Sequence, residues 1–121
     1  MKVFHSLDTI GKINNPVLTI GTFDGVHLGH QKILKKLVEQ AKNINGESVL
    51  LTFYPHPRMV LYPENHGLEL IQTQEEKLDS LEKIGLDNVV ILPFSKEFSR
   101  ISAWDFVRDI LINAFNIIIK F

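Results

Sequence analysis

"VLTIGTFDGVHLGHQKIL", Val17–Leu34, is the stretch that decides how this 121-residue chain folds. It opens on a short, apolar, β-branched run, Val17–Ile20, which follows the turn signal Asn14-Asn15-Pro16 and reads as a buried strand. From His30 to Ile44 the apolar residues Ile33, Leu34, Leu37, Val38, Ala41 and Ile44 recur at helical spacing. Lys35, Lys36, Glu39, Gln40, Lys42 and Asn43 fill the other face, and Asn45-Gly46 supplies a stop. The helix is expected to begin near Leu28 or Gly29. Between strand and helix stand three glycines, Gly21, Gly25 and Gly29, and two histidines, His27 and His30. In an α/β protein that junction is where ligands bind.

Outward from the junction the same alternation continues. Ser48–Tyr54 (SVLLTFY) reads as a second strand, ended by Pro55. Thr73 and Glu76 form a capping box for a helix that buries Leu78, Leu81 and Ile84 and stops at Gly85. Asn88–Leu92 is a third strand, closed by Pro93. Ser102 with Asp105 makes a shorter-armed cap, with Ile101 and Phe106 placed for a hydrophobic staple. The helix after it carries Phe106, Val107, Ile110 and Leu111, and Trp104 on it is expected to pack. Asn116–Phe121 (NIIIKF) reads as a fourth strand.

Strands alternating with helices imply right-handed crossovers and a parallel sheet. The fully apolar character of the strands agrees, because parallel strands are covered on both faces. An apolar strand at the last residue leads to the expectation that the chain is a fragment, or that something else covers that edge.

Composition narrows the function classes. The net charge of -1 gives no basis for non-specific nucleic-acid or membrane binding. With no cysteine, the chain has no disulfide, thiolate metal site or cysteine nucleophile. MKVFHSLDTIGKINN contains no apolar core of signal-peptide length, and no run approaches the ~20 apolar residues of a membrane span. A cytoplasmic protein is expected.

At the junction, Gly21 lets the backbone turn away without a Cβ clash. The first free N–H groups of the helix and its positive dipole end then lie beside His27 and His30. Residues three apart share a helix face, so both imidazoles can address one ligand, and Gly29 leaves room for a bulky anion. Such an assembly suits a polyphosphate. Neither the P-loop spacing nor GxGxxG is present. Two plainer readings stand beside this one: His27 and His30 as metal ligands, without a third ligand at informative spacing, or as capping and surface residues.

These residues carry a resemblance. GTFDGVHLGH, Gly21–His30, resembles the GxFDxxHxGH signature of the HxGH nucleotidyltransferases. The form with Gly25-Val26 is similar to that of the bacterial flavin adenine dinucleotide (FAD) synthetases, which are bifunctional riboflavin kinase/FMN adenylyltransferases. TFYPHPRMVL (Thr52–Leu61), EEKLDSLEKIGLDNVVILPF (Glu75–Phe94) and FSRISAWDFVRDIL (Phe98–Leu111) agree in the family's order. The signature alone would mark only the superfamily; PHP and ISAWDFV select the subfamily.

The resemblance implies a Rossmann-like parallel α/β sheet of the HxGH nucleotidyltransferase type, incomplete at its C-terminal edge. Residues 1–121 would form the N-terminal portion of an FMN adenylyltransferase domain, with the riboflavin kinase domain absent. The implied reaction transfers AMP from ATP to FMN, giving FAD and pyrophosphate, with Mg²⁺ arriving on ATP and no residue assigned as its ligand. His27 and His30 are the implied catalytic residues. Gly21, Thr22, Phe23, Asp24 and Gly29 would contact ATP, Asp24 by a structural or polar contact. Tyr54, His56 and Pro57 would wall the flavin, although a stiff turn accounts for Phe53–Pro57 equally well. Arg58 would meet a phosphate or stay solvated. The family's later GxDxxFG and SSTxIR-like segments have no counterpart in the sequence. The rival functions are another HxGH transferase of cytidylyltransferase type, and a non-catalytic nucleotide- or flavin-binding fragment.

Overall fold

A computed structural model describes residues 1–21, 28–54, 60–61 and 74–114. Along the chain these form β1 (Lys2–Phe4), a 3₁₀ turn at Leu7–Thr9, β2 (Val17–Ile20), α1 (Leu28–Asn43) and β3 (Ser48–Tyr54). There follow α2 (Gln74–Ile84), β4 (Asn88–Pro93), α3 (Lys96–Ser99) and α4 (Ala103–Phe106), which runs on as a π-helical stretch, Val107–Ala114. Three expected strands and the first two expected helices therefore fall where the apolar spacing puts them. Thr73 of the expected capping box and the expected strand Asn116–Phe121 lie outside the described residues.

All described strands are parallel, in the order β1-β4-β3-β2. Val17 faces Ser48 and Ile20 faces Leu51, while Val49 to Tyr54 run opposite Asn88 to Pro93. The neighbours β2 and β3, and β3 and β4, are parallel because the connection between them carries a helix back across the sheet. Two elements go beyond the sequence reading. Strand β1 is a three-residue edge strand on β4, too short to show a period. Helix α3 is a single turn, capped by Ser95 Oγ, which accepts from the Phe98 N–H at 3.0 Å.

Period-two alternation divides the core between the two faces of the sheet. Leu50, Val89 and Ile91 point toward α1 and α2, where Leu34, Leu37, Val38 and Leu81 meet them. Val49, Leu51, Val90 and Leu92 point the other way, onto Ile10 and Ile110. Beside that second cluster lie four phenylalanines. Phe53 sits 5.9 Å from Phe94 and 5.3 Å from Phe98, and Phe98 sits 6.2 Å from Phe106, centroid to centroid. The result is three layers with the strands in the middle.

Some side chains depart from the expectation. Ile33 lies on the apolar stripe of α1 yet is 51% exposed, because the stripe is wider than the sheet it covers, and Ile44, expected on the same stripe, falls just past the end of the helix and is 52% exposed. Trp104, expected to pack, is 74% exposed. The expected staple is not made: Ile101 is exposed, and Phe106 packs on Phe98. The Ser102 cap itself holds, with Asp105 N–H donating to Ser102 Oγ at 3.1 Å.

The amino edge of the sheet is closed by a polar clamp. Ser48 donates from its N–H and its hydroxyl to Asp87 Oδ2, at 2.9 and 3.1 Å, and Asp87 N–H donates back to Ser48 Oγ at 2.9 Å. Asn88 Nδ2 reaches Glu47 Oε1, and Glu47 Oε2 accepts from Asn14 N–H. These bonds tie the starts of β3 and β4 to the approach to β2. The opposite, carboxyl edge is left for the site.

Candidate functional site

At the carboxyl edge the ladder outlasts β2 by one residue: Gly21 N–H donates to Leu51 O at 3.1 Å. Helix α1 begins at Leu28, so its amino end lies at this edge. Gly29 is exposed on the first turn, and His30 follows it half-buried, with Nδ1 shut off from solvent. Gly29, Gln31, Lys32 and Lys35 line an open depression along the start of the helix. Lys32 and Lys35 are exposed, so positive charge and the helix dipole favour an anion here together.

Next to β2, strand β3 ends at the same edge. Tyr54, its last residue, is 55% exposed, and Tyr54 O accepts from Phe94 N–H at 3.3 Å. Its neighbour Phe53 is committed to the phenylalanine cluster, so the two adjacent aromatics have different roles. The structure thus places Gly21, Gly29, His30 and Tyr54 at one edge of the sheet. Thr22, Phe23, Asp24, His27, His56, Pro57 and Arg58 lie outside the described residues. Among the described residues, no cluster of three or more His, Asp or Glu side chains could hold a metal ion.

One feature of this edge was missed by the sequence reading. Lys77 on α2 is buried, 6% exposed, and its Nζ donates to the fully buried Thr52 Oγ1 at 3.1 Å. The signal was available in the helical period: Lys77 stands four residues before Leu81, on the stripe that otherwise carries Leu78, Leu81 and Ile84. A lysine on an apolar stripe is a position to inspect.

Comparison with known proteins bears on this geometry. Residues 10–119 match the family model described as FAD synthetase. A bifunctional riboflavin kinase/FMN adenylyltransferase of Buchnera aphidicola subsp. Schizaphis graminum is 37% identical over 118 residues, which cover 97% of this chain and 38% of that protein. One from Listeria monocytogenes is 37% identical over 102 residues, covering 81% and 31%. The chain therefore spans less than two-fifths of the length of these relatives. Among solved structures, a protein described as a macrolide-efflux protein from Streptococcus pneumoniae superposes with a TM-score of 0.79 at 27% identity. That match covers 95% of this chain and 39% of the other. No described helix of this chain is long and apolar enough to cross a membrane. The parallel sheet and the match over residues 10–119 lead to one conclusion: the chain belongs to the FAD synthetase family.

Proposed function

We propose that this chain is the adenylyltransferase part of a flavin-nucleotide enzyme, transferring AMP from ATP to FMN. The observation that carries the reading is the sequence GTFDGVHLGH between β2 and α1, whose described ends, Gly21 and His30, lie at the carboxyl edge of a parallel sheet. In the reaction an oxygen of the FMN phosphate attacks the α-phosphorus of ATP. The bond from that phosphorus to the α,β-bridging oxygen breaks, pyrophosphate leaves with the electron pair, and FAD remains. The acceptor phosphate is already a competent nucleophile, so no covalent enzyme intermediate is needed. Catalysis reduces to alignment and to stabilising charge on phosphoryl oxygens.

In this reading His27 and His30 donate hydrogen bonds to the triphosphate, a role favoured by the protonated imidazole that a neighbouring polyphosphate promotes. Gly21 and Gly29, with Thr22, Phe23 and Asp24, give the nucleotide close backbone approach. Tyr54, with His56 and Pro57, offers faces to the flavin. Mg²⁺ enters on ATP and keeps much of its water shell. A riboflavin kinase module elsewhere in the full-length protein would supply FMN, and a cytoplasmic setting suits these substrates.

The test is product formation by the full-length protein. FAD is expected with Mg²⁺, ATP and FMN, and His30→Ala is expected to slow it by roughly 10²–10³, the usual cost of one lost donor at a developing oxyanion. A CDP-linked product formed from CTP instead would replace this reading with a cytidylyltransferase. Binding of ATP and FMN without any product would leave a nucleotide-binding module.

A further inference from the structure

The turn that joins α1 to β3, at the amino edge of the sheet, carries a reactive pair whose chemistry the fold holds shut. Asn45-Gly46 is the only Asn-Gly pair in the chain. In such a pair the glycine nitrogen reaches the asparagine amide carbon unhindered, since glycine brings no Cβ to crowd the approach. Asn45 is exposed, so water and base have access to it. Folding withholds the nucleophile. Asn45 holds φ at 54°, and the last turn of α1 closes on it as a Schellman motif. Asn45 N–H donates to Lys42 O at 3.2 Å, and Gly46 N–H donates to Ala41 O at 2.8 Å. The Gly46 nitrogen attacks only after losing its proton, and that proton is the one bound to Ala41 O. Removing it in place breaks the bond and sets an amide anion against a carbonyl oxygen. Contacts from outside hold the turn as well. Asn15 fills the space beside Gly46 where a side chain would stand. Glu47 accepts from Asn14 N–H and Asn88 Nδ2 through its carboxylate, donates its N–H to Asn14 O, and accepts from Val17 N–H through its carbonyl.

We propose that Asn45 is a site of spontaneous deamidation gated by opening of the α1–β3 turn. It is shut in the folded protein and reacts whenever the turn lets go. The step needs only water and hydroxide. The Gly46 nitrogen gives its proton to hydroxide and attacks Asn45 Cγ. A C–N bond forms, the Cγ–Nδ2 bond breaks, and the side-chain nitrogen leaves as ammonia, taking a proton from water. Water then adds to one carbonyl of the cyclic succinimide and opens it, leaving an aspartyl or isoaspartyl residue. Either product marks the fold. The new carboxylate stands at the negative end of α1, and an isoaspartyl link adds a methylene to the backbone between α1 and β3. A transient opening is thereby made permanent. The proposal is independent of the adenylyl-transfer reading.

The test follows deamidation of the full-length protein by peptide mass mapping during incubation in mildly alkaline buffer, with and without denaturing urea. Asn43, whose neighbour Ile44 is β-branched and crowds the attack, is the reference. In the unfolded chain Asn45 is expected to react well ahead of Asn43. In the folded protein its rate is expected to fall by about tenfold or more, because an opening must be populated before each attack. A local opening exposes little surface, so the folded rate is expected to change little in urea below the unfolding transition. Glu47→Gln weakens the outer ties and is expected to raise the folded rate while leaving the unfolded rate as it was. Equal rates in folded and unfolded wild type overturn the gate, and an Asn45 that outlasts Asn43 in the unfolded chain overturns the site. A folded rate that tracks the unfolded fraction through the urea series overturns gating by the turn, as does a folded Glu47→Gln protein that reacts no faster than wild type. Should that variant not fold, the urea series on wild type decides.

Discussion

Gly46 is fixed by a neighbour far away in the sequence. A Cβ added there would run into the carbonyl oxygen of Asn15 and come within 3.0 Å of the Asn15 Cβ. Asn15 has little freedom to retreat: it holds a positive φ of 42°, and its flank is tied down by Asn14 and Glu47. Gly46→Ala is therefore expected to destabilise the protein by about 1–3 kcal/mol, the usual range for overpacking, seen as a lower urea midpoint at unchanged slope. A midpoint equal to wild type would mean that the turn yields. In the sequence Asn45-Gly46 reads only as a helix stop, since a stop signal is local and the contact with Asn15 is tertiary. The same division runs through the site. The place of His30 at the carboxyl edge was legible because its signal, a histidine just after a glycine and an apolar run, is contained in one segment. The Lys77–Thr52 pair was not, because it joins two segments and a lysine on a helix is normally solvated.

On α1 two adjacent apolar residues have opposite fates. Leu34 is fully buried against β3 and α2, whereas Ile33 is about half exposed. Leu34→Ala is expected to cost about 2–5 kcal/mol through lost transfer energy and a residual cavity. Ile33→Ala, by contrast, should change stability by less than about 0.5 kcal/mol. Denaturant unfolding of the two variants checks the contrast, and equal losses would contradict the packing described for this helix. Periodicity alone ranks the two together, since both lie on the stripe; what separates them is the width of sheet beneath, a property of the partner. The same limit applies to the helix that starts at Ala103. Its cap was legible in Ser102 and Asp105, but its π-helical continuation and the exposure of Trp104 were not.

Across the whole molecule, the parallel order β1-β4-β3-β2 concentrates stability at the centre of the sheet. Residues Val49 to Thr52 of β3 and Asn88 to Leu92 of β4 are buried throughout, while β1 contributes three residues paired to β4 alone. Parallel alternation was legible as a class from the strand–helix rhythm. The order was not, because no single segment states which strand lies beside which. That order has a consequence for the site. Thr52, the seat of the Lys77 bond, lies two residues before the end of β3, a strand paired on both sides, whereas Gly21 and His30 lie beyond β2, whose described pairing is on one side only. Amide hydrogen exchange should then divide the carboxyl edge. Protection is expected to be greatest at Leu50–Thr52 and Val89–Ile91 and to fall by orders of magnitude at Val3–Phe4, with β2 between them. Adding pyrophosphate should raise protection at Gly21 and the first turns of α1 while leaving the centre of β3 as it was, since a rigid support gains nothing from the ligand it supports. Equal gains at both places would show that the central strand is itself ordered by the ligand, and the division between a fixed floor and a responsive rim would be wrong.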